Sequence, residues 1–459
     1  MNAKQFVYQA PGSLITLQTT NLSQANQQFI PGFVKMMWLM GMLVLLPIEF
    51  IKLPFNMTMM DCWVIMALPL FWLSFIRRQQ VMSLSYALPM CLILIGSLAS
   101  TFAAPVPRNS LIVILKECYA FAWFLTLVSV FFELDARDLR RVLVVWSVVV
   151  FLHGAVIVAQ FVWPAFWRLV VAFSGRATEY DVYRPSGFFV NANSAALFQL
   201  LGFVPLVLAC NSKKRGAFLG VLLLSTMLVT GSMGATLGFV TGLTVAMIAI
   251  SISGNLGGLI RAFVYSSIIL SLFGGVLLFI VNQNPRYQTH FEQILIGRAE
   301  RSSDGRFNLW QRGMDAFMDH SSFFYGVGPE NFRVVDGKDK QLHNDFIAFT
   351  VERGLITGFA LVLFGVIAAT RAAYLFRIYG KKRADLKMAV FIGAIVAVMV
   401  ESLTHQIFHY RQMWLILALQ EAMILRMILS KSENEDLPSG TVPANGTLSG
   451  SARISLSDR

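Results

Sequence analysis

The chain has 459 residues and a net charge of +12; 56% of the residues are hydrophobic and only 14% are charged. A soluble domain is about a quarter charged, so this composition excludes an ordinary soluble protein. The basic residues lie mainly in short stretches between apolar runs, where orientation in a bilayer explains them. The positive charge therefore does not indicate nucleic-acid binding.

The apolar pattern predicts an all-α polytopic membrane protein. Residues 1–32 form a polar segment that lacks the apolar run of a cleavable signal peptide. About twelve apolar runs of roughly 20 residues follow, the length that crosses a bilayer core. Helices 1–9 are predicted in 33–283 and helices 10–12 in 345–430. The predicted spans are 33–51, 58–76, 81–104, 109–132, 139–163, 190–210, 216–230, 232–250, 259–282, 345–376, 387–407 and 410–430.

Basic residues predict the orientation of these spans. Placing the N-terminus in the cytoplasm puts the dense Lys/Arg stretches at 77–78, 137–141, 213–215 and 377–387 on the cytoplasmic side. The C-terminus is then also cytoplasmic. Its tail, 431–459, is rich in Ser, Gly, Thr and Asn and is predicted to be disordered.

One long polar stretch, 284–344, interrupts the apolar runs and is predicted to lie outside the cytoplasm. Loops of this length are usually functional. Ser303-Asp304 offers a helix N-cap, and a predicted helical face that can pack on the membrane or roof a cavity follows it. That face contains Phe307, Trp310, Met314, Phe317 and Met318.

Three polar residues are candidates for chemistry at the outer surface. His343 can accept a proton from an attacking hydroxyl, or it can serve as a polar helix cap. Arg306 offers a fork of donors suited to phosphate, or it can pair with nearby acids. Arg184, followed by Asn191 and Asn193, can hold a second anionic group or anchor the chain in the headgroups.

Other polar residues give weaker signals. Lys116 and Glu117 lie within a predicted span and are either functional or a tie to another span. Glu401, His405 and His409 have a spacing that can hold a metal, but a predicted helix break between the histidines argues against it. We therefore predict no metal site. The cysteines all fall inside apolar runs and are interpreted as buried small residues.

Several motifs together resemble the O-antigen ligase and polymerase superfamily. The resemblance covers about 140 to 430. Its motifs are Gly305-Arg306…Trp310, Phe324-Tyr325-Gly326-Val327-Gly328-Pro329-Glu330-Asn331-Phe332, His343-Asn344 and Glu352-Arg353-Gly354-Leu355, preceded by Arg184-Pro185-Ser186-Gly187…Asn191-Ala192-Asn193.

The resemblance implies a glycosyltransferase of GT-C-like fold in the bacterial inner membrane, with the 284–344 loop in the periplasm. The implied donor is a glycan on undecaprenyl diphosphate, and the acceptor is the lipid A core or another glycan. Membrane lipid surrounds the site, and neither a cofactor nor nucleic acid is implied.

The resemblance also assigns residue roles. His343 and Arg306 match the family's catalytic histidine and arginine, and direct displacement would invert the anomeric centre. Arg184, Arg306, Asn344 and Asn193 are the implied diphosphate and glycan ligands. A further family arginine falls at Met233, which cannot bind phosphate, so Arg184 is its predicted substitute.

Four functions remain open at this point. An O-antigen ligase is favoured, with an O-antigen or exopolysaccharide polymerase as the alternative. A protein-directed oligosaccharyltransferase of the same superfamily is less favoured. From a different class, a lipid-linked glycan flippase or transporter would also have about twelve spans, but it would not need an Arg- and His-bearing loop.

Overall fold

A computed structural model of the chain describes 5–10, 13–18, 30–49, 51, 57–78, 85–163, 165–166, 169, 184–210, 213–252, 305–318, 324–337, 341–380 and 386–435, with scattered positions from 257 to 275. The predicted span 259–282 lies largely outside these residues. The loop residues 284–304 and the tail beyond 435 lie outside them entirely.

The described residues are helical apart from one hairpin near the N-terminus. Strand β1 (Gln5–Ala10) pairs antiparallel with β2 (Ser13–Gln18), and Gln5 lies opposite Gln18. Pro11-Gly12, a turn-forming dipeptide, separates the two strands in sequence. This hairpin was not predicted, because the segment is polar overall and its two alternating runs are short.

Nine helices are described in the first half of the chain. They are α1 (Gly32–Leu45), α2 (Met59–Arg78), α3 (Ala87–Thr101), α4 (Pro107–Glu133), α5 (Ala136–Val162), α6 (Ala192–Leu201), α7 (Phe203–Ala209), α8 (Lys213–Val229) and α9 (Met233–Ile252).

The second half begins with helices of the polar loop and ends with long apolar ones. They are α10 (305–318), α11 (Phe332–Asp336), α12 (Asp345–Arg353), α13 (Leu355–Gly380), α14 (Leu386–Ser402) and α15 (Arg411–Glu435).

Within the described part of the chain, six helices are long and apolar enough to cross a membrane. These candidate spans are Pro107–Glu133, Ala136–Val162, Ala192–Ala209, Met233–Ile252, Leu355–Ile378 and Arg411–Leu429. Shorter apolar helices lie at Gly32–Leu45, Met59–Pro69, Ala87–Thr101 and Phe218–Val229. The helical, multi-pass character of the prediction is confirmed, whereas the count of twelve and the orientation stay predictions.

The predicted continuous span 345–376 is instead two helices, α12 and α13. Gly354 separates them with a φ of +83°, and a Cβ on it would lie 2.0 Å from the carbonyl oxygen of Phe324. Only glycine tolerates this backbone conformation so close to another chain segment. His343 therefore precedes a short helix of nine residues rather than a long span.

Helix α9 packs along α14 through small residues. A Cβ on Gly242 would lie 2.3 Å from the carbonyl oxygen of Gly393, so the two backbones touch. Close approach of this kind is typical of helix pairs in membranes. It brings the first residues of α9 against the last turn of α14, where the candidate site lies.

An aromatic core holds α4, α13 and α15 together beneath that end. Trp414 packs edge-on against Phe124, Phe364 and Phe408, with ring centroids 5.3 to 5.8 Å apart. Arg411, the first residue of α15, donates to Asp61 in the first turn of α2 and to Glu49 in the connection between α1 and α2. The turns at this end of the bundle are therefore fastened to each other.

Candidate active site

Arg306, His343 and His405 converge from three separate parts of the chain. Nη2 of Arg306 lies 3.3 Å from Nε2 of His405, and the rings of His343 and His405 have centroids 6.3 Å apart. Arg306 is half-buried and His343 is exposed. The two residues that were predicted to be catalytic therefore both lie near His405, a histidine for which no such role was predicted.

The loop helix α10 exists as predicted, but its buried face differs from the predicted one. Leu309 and Phe317 are buried, whereas Phe307, Met314 and Met318 are exposed. The apolar residues of α10 therefore form a buried stripe and an exposed stripe. Only the buried stripe packs against the rest of the described chain. Arg306 lies one turn before Trp310. The buried residues Leu309 and Phe317 set the rotation of α10 and therefore the direction in which the Arg306 side chain extends.

Two contacts hold α10 next to His343. The indole Nε1 of Trp310 donates to the carbonyl oxygen of Leu342 at 2.8 Å, and Gly313 leaves room for the Leu342 side chain. Leu342 directly precedes His343 in sequence. The spacing between Arg306 and His343 is therefore set by a rigid aromatic anchor.

The glycine-rich segment before α11 attaches the loop to the bundle. The N–H groups of Val327 and Gly328 donate to the carbonyl oxygens of Val351 and Glu352 at the end of α12. Asn331 is fully buried; its side chain accepts from the N–H of Val106 and donates to the hydroxyl of Ser110, both at the start of α4. This motif is thus an anchor for the loop.

His343 has an unusual backbone, with a φ of +51°. Non-glycine residues rarely adopt this left-handed region, although histidine does so more often than most. Asn344 follows as the N-cap of α12: its Oδ1 accepts from the N–H of Ile347, and its Nδ2 donates to the carbonyl oxygen of Leu403. His343 therefore stands in a tight turn immediately before the helix that Asn344 begins.

Asn344 and Asp345 fasten the turn that holds His405. Besides the Asn344 bond to Leu403, Oδ2 of Asp345 accepts from the N–H groups of Ile407 and Phe408 at 2.9 and 3.1 Å. Because both ends of the Asn344 amide bond to protein and its side chain is buried, we assign it a structural role. Its predicted role as a substrate ligand stays a prediction.

Arg184 lies against the turn between α8 and α9. Its guanidinium donates to the carbonyl oxygens of Thr230 and Gly231 and to Oδ1 of Asn193. The predicted pair of Arg184 and Asn193 is therefore in contact, with Asn193 orienting the arginine. Met233 follows the same turn and is 47% exposed, so Arg184 lies beside the position where the family arginine was expected.

The residues of the rejected metal site separate into two pairs. Nδ1 of His405 lies 2.9 Å from Glu401, but Nε2 of His409 faces Glu117 at 3.3 Å. Helix α14 ends at Ser402, so the i, i+4, i+8 spacing is not helical. Within the residues that the structure describes, no group of three His, Cys, Asp or Glu side chains could hold a metal ion.

The adjacent charges Lys116 and Glu117 point in different directions. Lys116 is exposed, whereas Glu117 is fully buried and forms an ion pair with Arg353 of α12 at 2.5 Å. The guanidinium of Arg353 also lies 3.8 Å from the ring centre of Phe349. Of the two interpretations of Glu117, the structural tie between helices is the one that the contacts support.

Burial and charge perturb three groups near the site. Burial lowers the pKa of the Arg306 guanidinium, and the carboxylate of Glu401 opposes that effect. Burial raises the pKa of Asp345 to about 7, although the hydrogen bonds from the N–H groups of Ile407 and Phe408 act to lower it. Burial, then the charge of Glu330, raises the pKa of Glu352 to about 7. Such perturbed groups concentrate at functional sites.

Fold and site together define a class of protein: a multi-pass helical membrane protein with arginine and histidine side chains gathered at one end of its bundle. Such an arrangement can bind an anionic group and accept a proton. Residues 218–363 match the family model described as O-antigen ligase. This match confirms the predicted resemblance over that stretch and is consistent with the O-antigen ligase and polymerase superfamily, whose members are glycosyltransferase-like enzymes.

The matched stretch runs from α8 to α13 and includes Arg306 and His343, but Arg184, Glu401 and His405 lie outside it. A comparison with curated proteins gives no match. The O-antigen ligase match indicates ligase- or polymerase-type activity and, more generally, a lipid-linked glycan and an acceptor as substrates.

Sequence reasoning missed Arg353 and misjudged His405. Arg353 stands in a quoted motif, and its buried partner Glu117 was already marked as an intramembrane charge, so the two signals were available but not joined. His405 was considered only as a metal ligand. Its contact with Arg306 spans 99 positions in sequence and has no local signal.

Proposed function

We propose that the protein is an O-antigen ligase-like glycosyltransferase. It would move a polysaccharide from undecaprenyl diphosphate to an acceptor hydroxyl of the lipid A core, on the periplasmic side of the bacterial inner membrane. The observation that carries this proposal is the approach of Arg306 and His343 to a common centre at His405, from separate segments. The family match over both residues supports it.

The proposed reaction is one displacement at the anomeric carbon. The acceptor hydroxyl attacks that carbon and gives its proton to His343, while the bond to the diphosphate oxygen breaks and the electron pair leaves with undecaprenyl diphosphate. Arg306 and Arg184 stabilise the charge on the leaving diphosphate, and the configuration inverts. Preorganised cations of this kind cost no reorganisation during the reaction.

His343 suits the role of base because it is exposed and its backbone is held in a rare conformation. Strained residues of this type cluster at active sites when the surroundings over-determine them. The surroundings here are the Trp310 bond to Leu342 on one side and the Asn344 cap on the other.

The first experiment measures glycan transfer by the purified protein from a synthetic undecaprenyl-diphosphate-linked oligosaccharide. We expect His343→Ala to lower the turnover number by about 10²-fold or more, since a general base contributes that much. Arg306→Lys should lower it by a similar factor, because an ammonium cannot reproduce the bidentate fork.

Two variants are matched controls for that experiment. Arg312→Lys changes the same residue type on the same helix, but Arg312 pairs with Asp336. His409→Gln changes a histidine that faces Glu117 instead of Arg306. Both should retain activity. Wild-type transfer by His343→Ala would refute the base, and wild-type transfer by Arg306→Lys would remove Arg306 from the diphosphate site.

Arg184 and Met233 provide an independent test of the second cation. Because Arg184 donates to the turn that precedes Met233, an arginine at 233 would extend from nearly the same place. Arg184→Ala should raise the KM for the donor. Adding Met233→Arg to the same chain should bring that KM most of the way back to the wild-type value. If Met233→Arg restores nothing while the protein stays folded, Arg184 does not occupy the role of the family arginine.

The acceptor distinguishes a ligase from a polymerase. A deletion strain that lacks a ligase accumulates polymer on the lipid carrier and makes rough lipopolysaccharide. A strain that lacks a polymerase makes core capped with one repeat unit or loses an exopolysaccharide. Separation of lipopolysaccharide on a gel tells these outcomes apart, and single-unit caps would overturn the ligase assignment.

A further inference from the structure

A histidine outside the proposed chemistry, His405, lies between a buried carboxylate and Arg306. Its Nδ1 is 2.9 Å from Oε1 of Glu401, and its Nε2 is 3.3 Å from Nη2 of Arg306. The His405 side chain is 4% exposed and that of Glu401 is fully buried. Carboxylate, imidazole and guanidinium therefore form one chain from the interior to the site.

The partners determine which ring nitrogen carries the proton. A guanidinium can only donate hydrogen bonds, so Nε2 of His405 must accept from Arg306. The ring hydrogen is then assigned to Nδ1, which faces the carboxylate of Glu401. A carboxylate beside one ring nitrogen helps to fix the orientation of the imidazole.

Neighbouring atoms hold this chain in place. The hydroxyl of Thr404 lies 3.1 Å from Nδ1 of His405 and donates to the backbone carbonyl of Glu401. On the other side, a Cβ on Gly234 would lie 2.6 Å from Oε2 of Glu401 and 2.9 Å from Nδ1 of His405. Helix α9 therefore closes the back of the pair, and the ring has no room to turn away from Arg306.

The charge arrangement has a consequence for anion binding. A carboxylate in direct contact with Arg306 would satisfy the guanidinium and compete with a phosphate for it. Here the imidazole ring of His405 stands between the two charged groups, so Glu401 influences Arg306 without touching it. Among the described residues, only one nitrogen of the Arg306 guanidinium has a side-chain partner, so the other donors on this side can bind an anion.

We propose that His405, oriented by Glu401, is a positioning residue that holds the Arg306 guanidinium toward the diphosphate of the donor. This inference rests on the proposed function, in which Arg306 binds that diphosphate. It assigns a role to two residues, Glu401 and His405, that lie outside the family match.

The test measures the affinity of the purified protein, in lipid nanodiscs, for undecaprenyl diphosphate itself. His405→Ala should weaken binding by about ten-fold, the value of a hydrogen bond to a charged group. His405→Gln keeps a neutral acceptor at that position and should stay within about three-fold of the wild type. His409→Gln, the matched control from the same turn, should leave the affinity unchanged.

A double-mutant cycle separates positioning from general damage. If His405 acts through Arg306, His405→Ala has no further effect once Arg306→Gln is present. Equal losses in both backgrounds, or no recovery by His405→Gln at an unchanged unfolding temperature, would overturn the inference. A different result, wild-type affinity in Arg306→Gln alone, would overturn the donor site of the proposed function and the inference with it.

Discussion

Arg353→Met should destabilise the protein strongly, because it leaves a buried carboxylate without its cation. The side chains of Arg353 and Glu117 are 3% and 0% exposed and lie 2.5 Å apart. Removal of one partner of such a pair costs about 3 to 5 kcal/mol. His409, at 3.3 Å from the same oxygen of Glu117, can compensate in part and favours the lower end of that range.

The companion variant distinguishes the pair from the packing around it. Glu117→Gln combined with Arg353→Met removes the buried charge altogether, so most of the lost stability should return. The coupling energy between the two changes should be at least about 2 kcal/mol. Arg141→Met is the control, since its ion pair with Asp138 is 48% and 22% exposed and should contribute about 0.5 kcal/mol or less.

Equilibrium denaturation in mixed micelles, followed by circular dichroism, measures these free energies. An Arg353→Met variant within about 1 kcal/mol of the wild type would refute the reasoning, given the expected 3 to 5 kcal/mol. So would a double variant as unstable as the single one. Because α12 begins with the residues that fasten the His405 turn, transfer activity should fall together with stability in Arg353→Met.

Two further predictions concern the carboxyl at the end of α12 and the contact between α9 and α14. In the folded protein the pKa of Glu352 is raised from 4.5 to about 7. Between pH 4.5 and 7 the folded state therefore keeps a proton that the unfolded chain releases. Because the folded state then binds more protons than the unfolded chain, the free energy of unfolding falls as the pH rises through that range. The unfolding temperature of the wild type should therefore drop more between pH 5 and pH 8 than that of Glu352→Gln, and equal drops would contradict the assignment. Gly242→Ala should lower the unfolding temperature, because the new Cβ would lie 2.3 Å from the backbone of Gly393. Gly220→Ala on α8 should raise it, because the nearest atom lies 3.5 Å from the new Cβ and alanine favours a helix more than glycine does. The reverse order of the two unfolding temperatures would refute the close contact between α9 and α14.

Several features of the fold could be predicted from local sequence. Apolar runs of membrane-spanning length predicted the helices α4, α5, α9 and α15 closely, because composition and length alone decide whether a helix can remain in a bilayer. The loop helix was also predicted, since its periodicity is local. The order of the motifs in the sequence led to the resemblance that the match over 218–363 confirms.

Local patterns were less informative about faces and breaks. The periodicity of α10 gave one apolar face, but the structure buries Phe317 and exposes Met314 and Met318. Which of two apolar stripes is buried depends on the neighbour, and that neighbour, Leu342, lies beyond the helix. The break at Gly354 likewise depends on the Phe324 carbonyl, which occupies the place of a side chain.

Composition, run length and motif order were enough to predict a helical membrane protein and to choose Arg306 and His343 as candidates for its chemistry. The contacts of the folded chain were needed to show that His405 lies against Arg306 and that Glu117 pairs with Arg353. The physical reason is that a buried charge must find a partner, but nothing in its own segment says which one. The partner of each buried charge is set by how the helices pack. Here the close contact of α9 with α14 and the hydrogen bonds of the turns before α12 and α15 determine that packing.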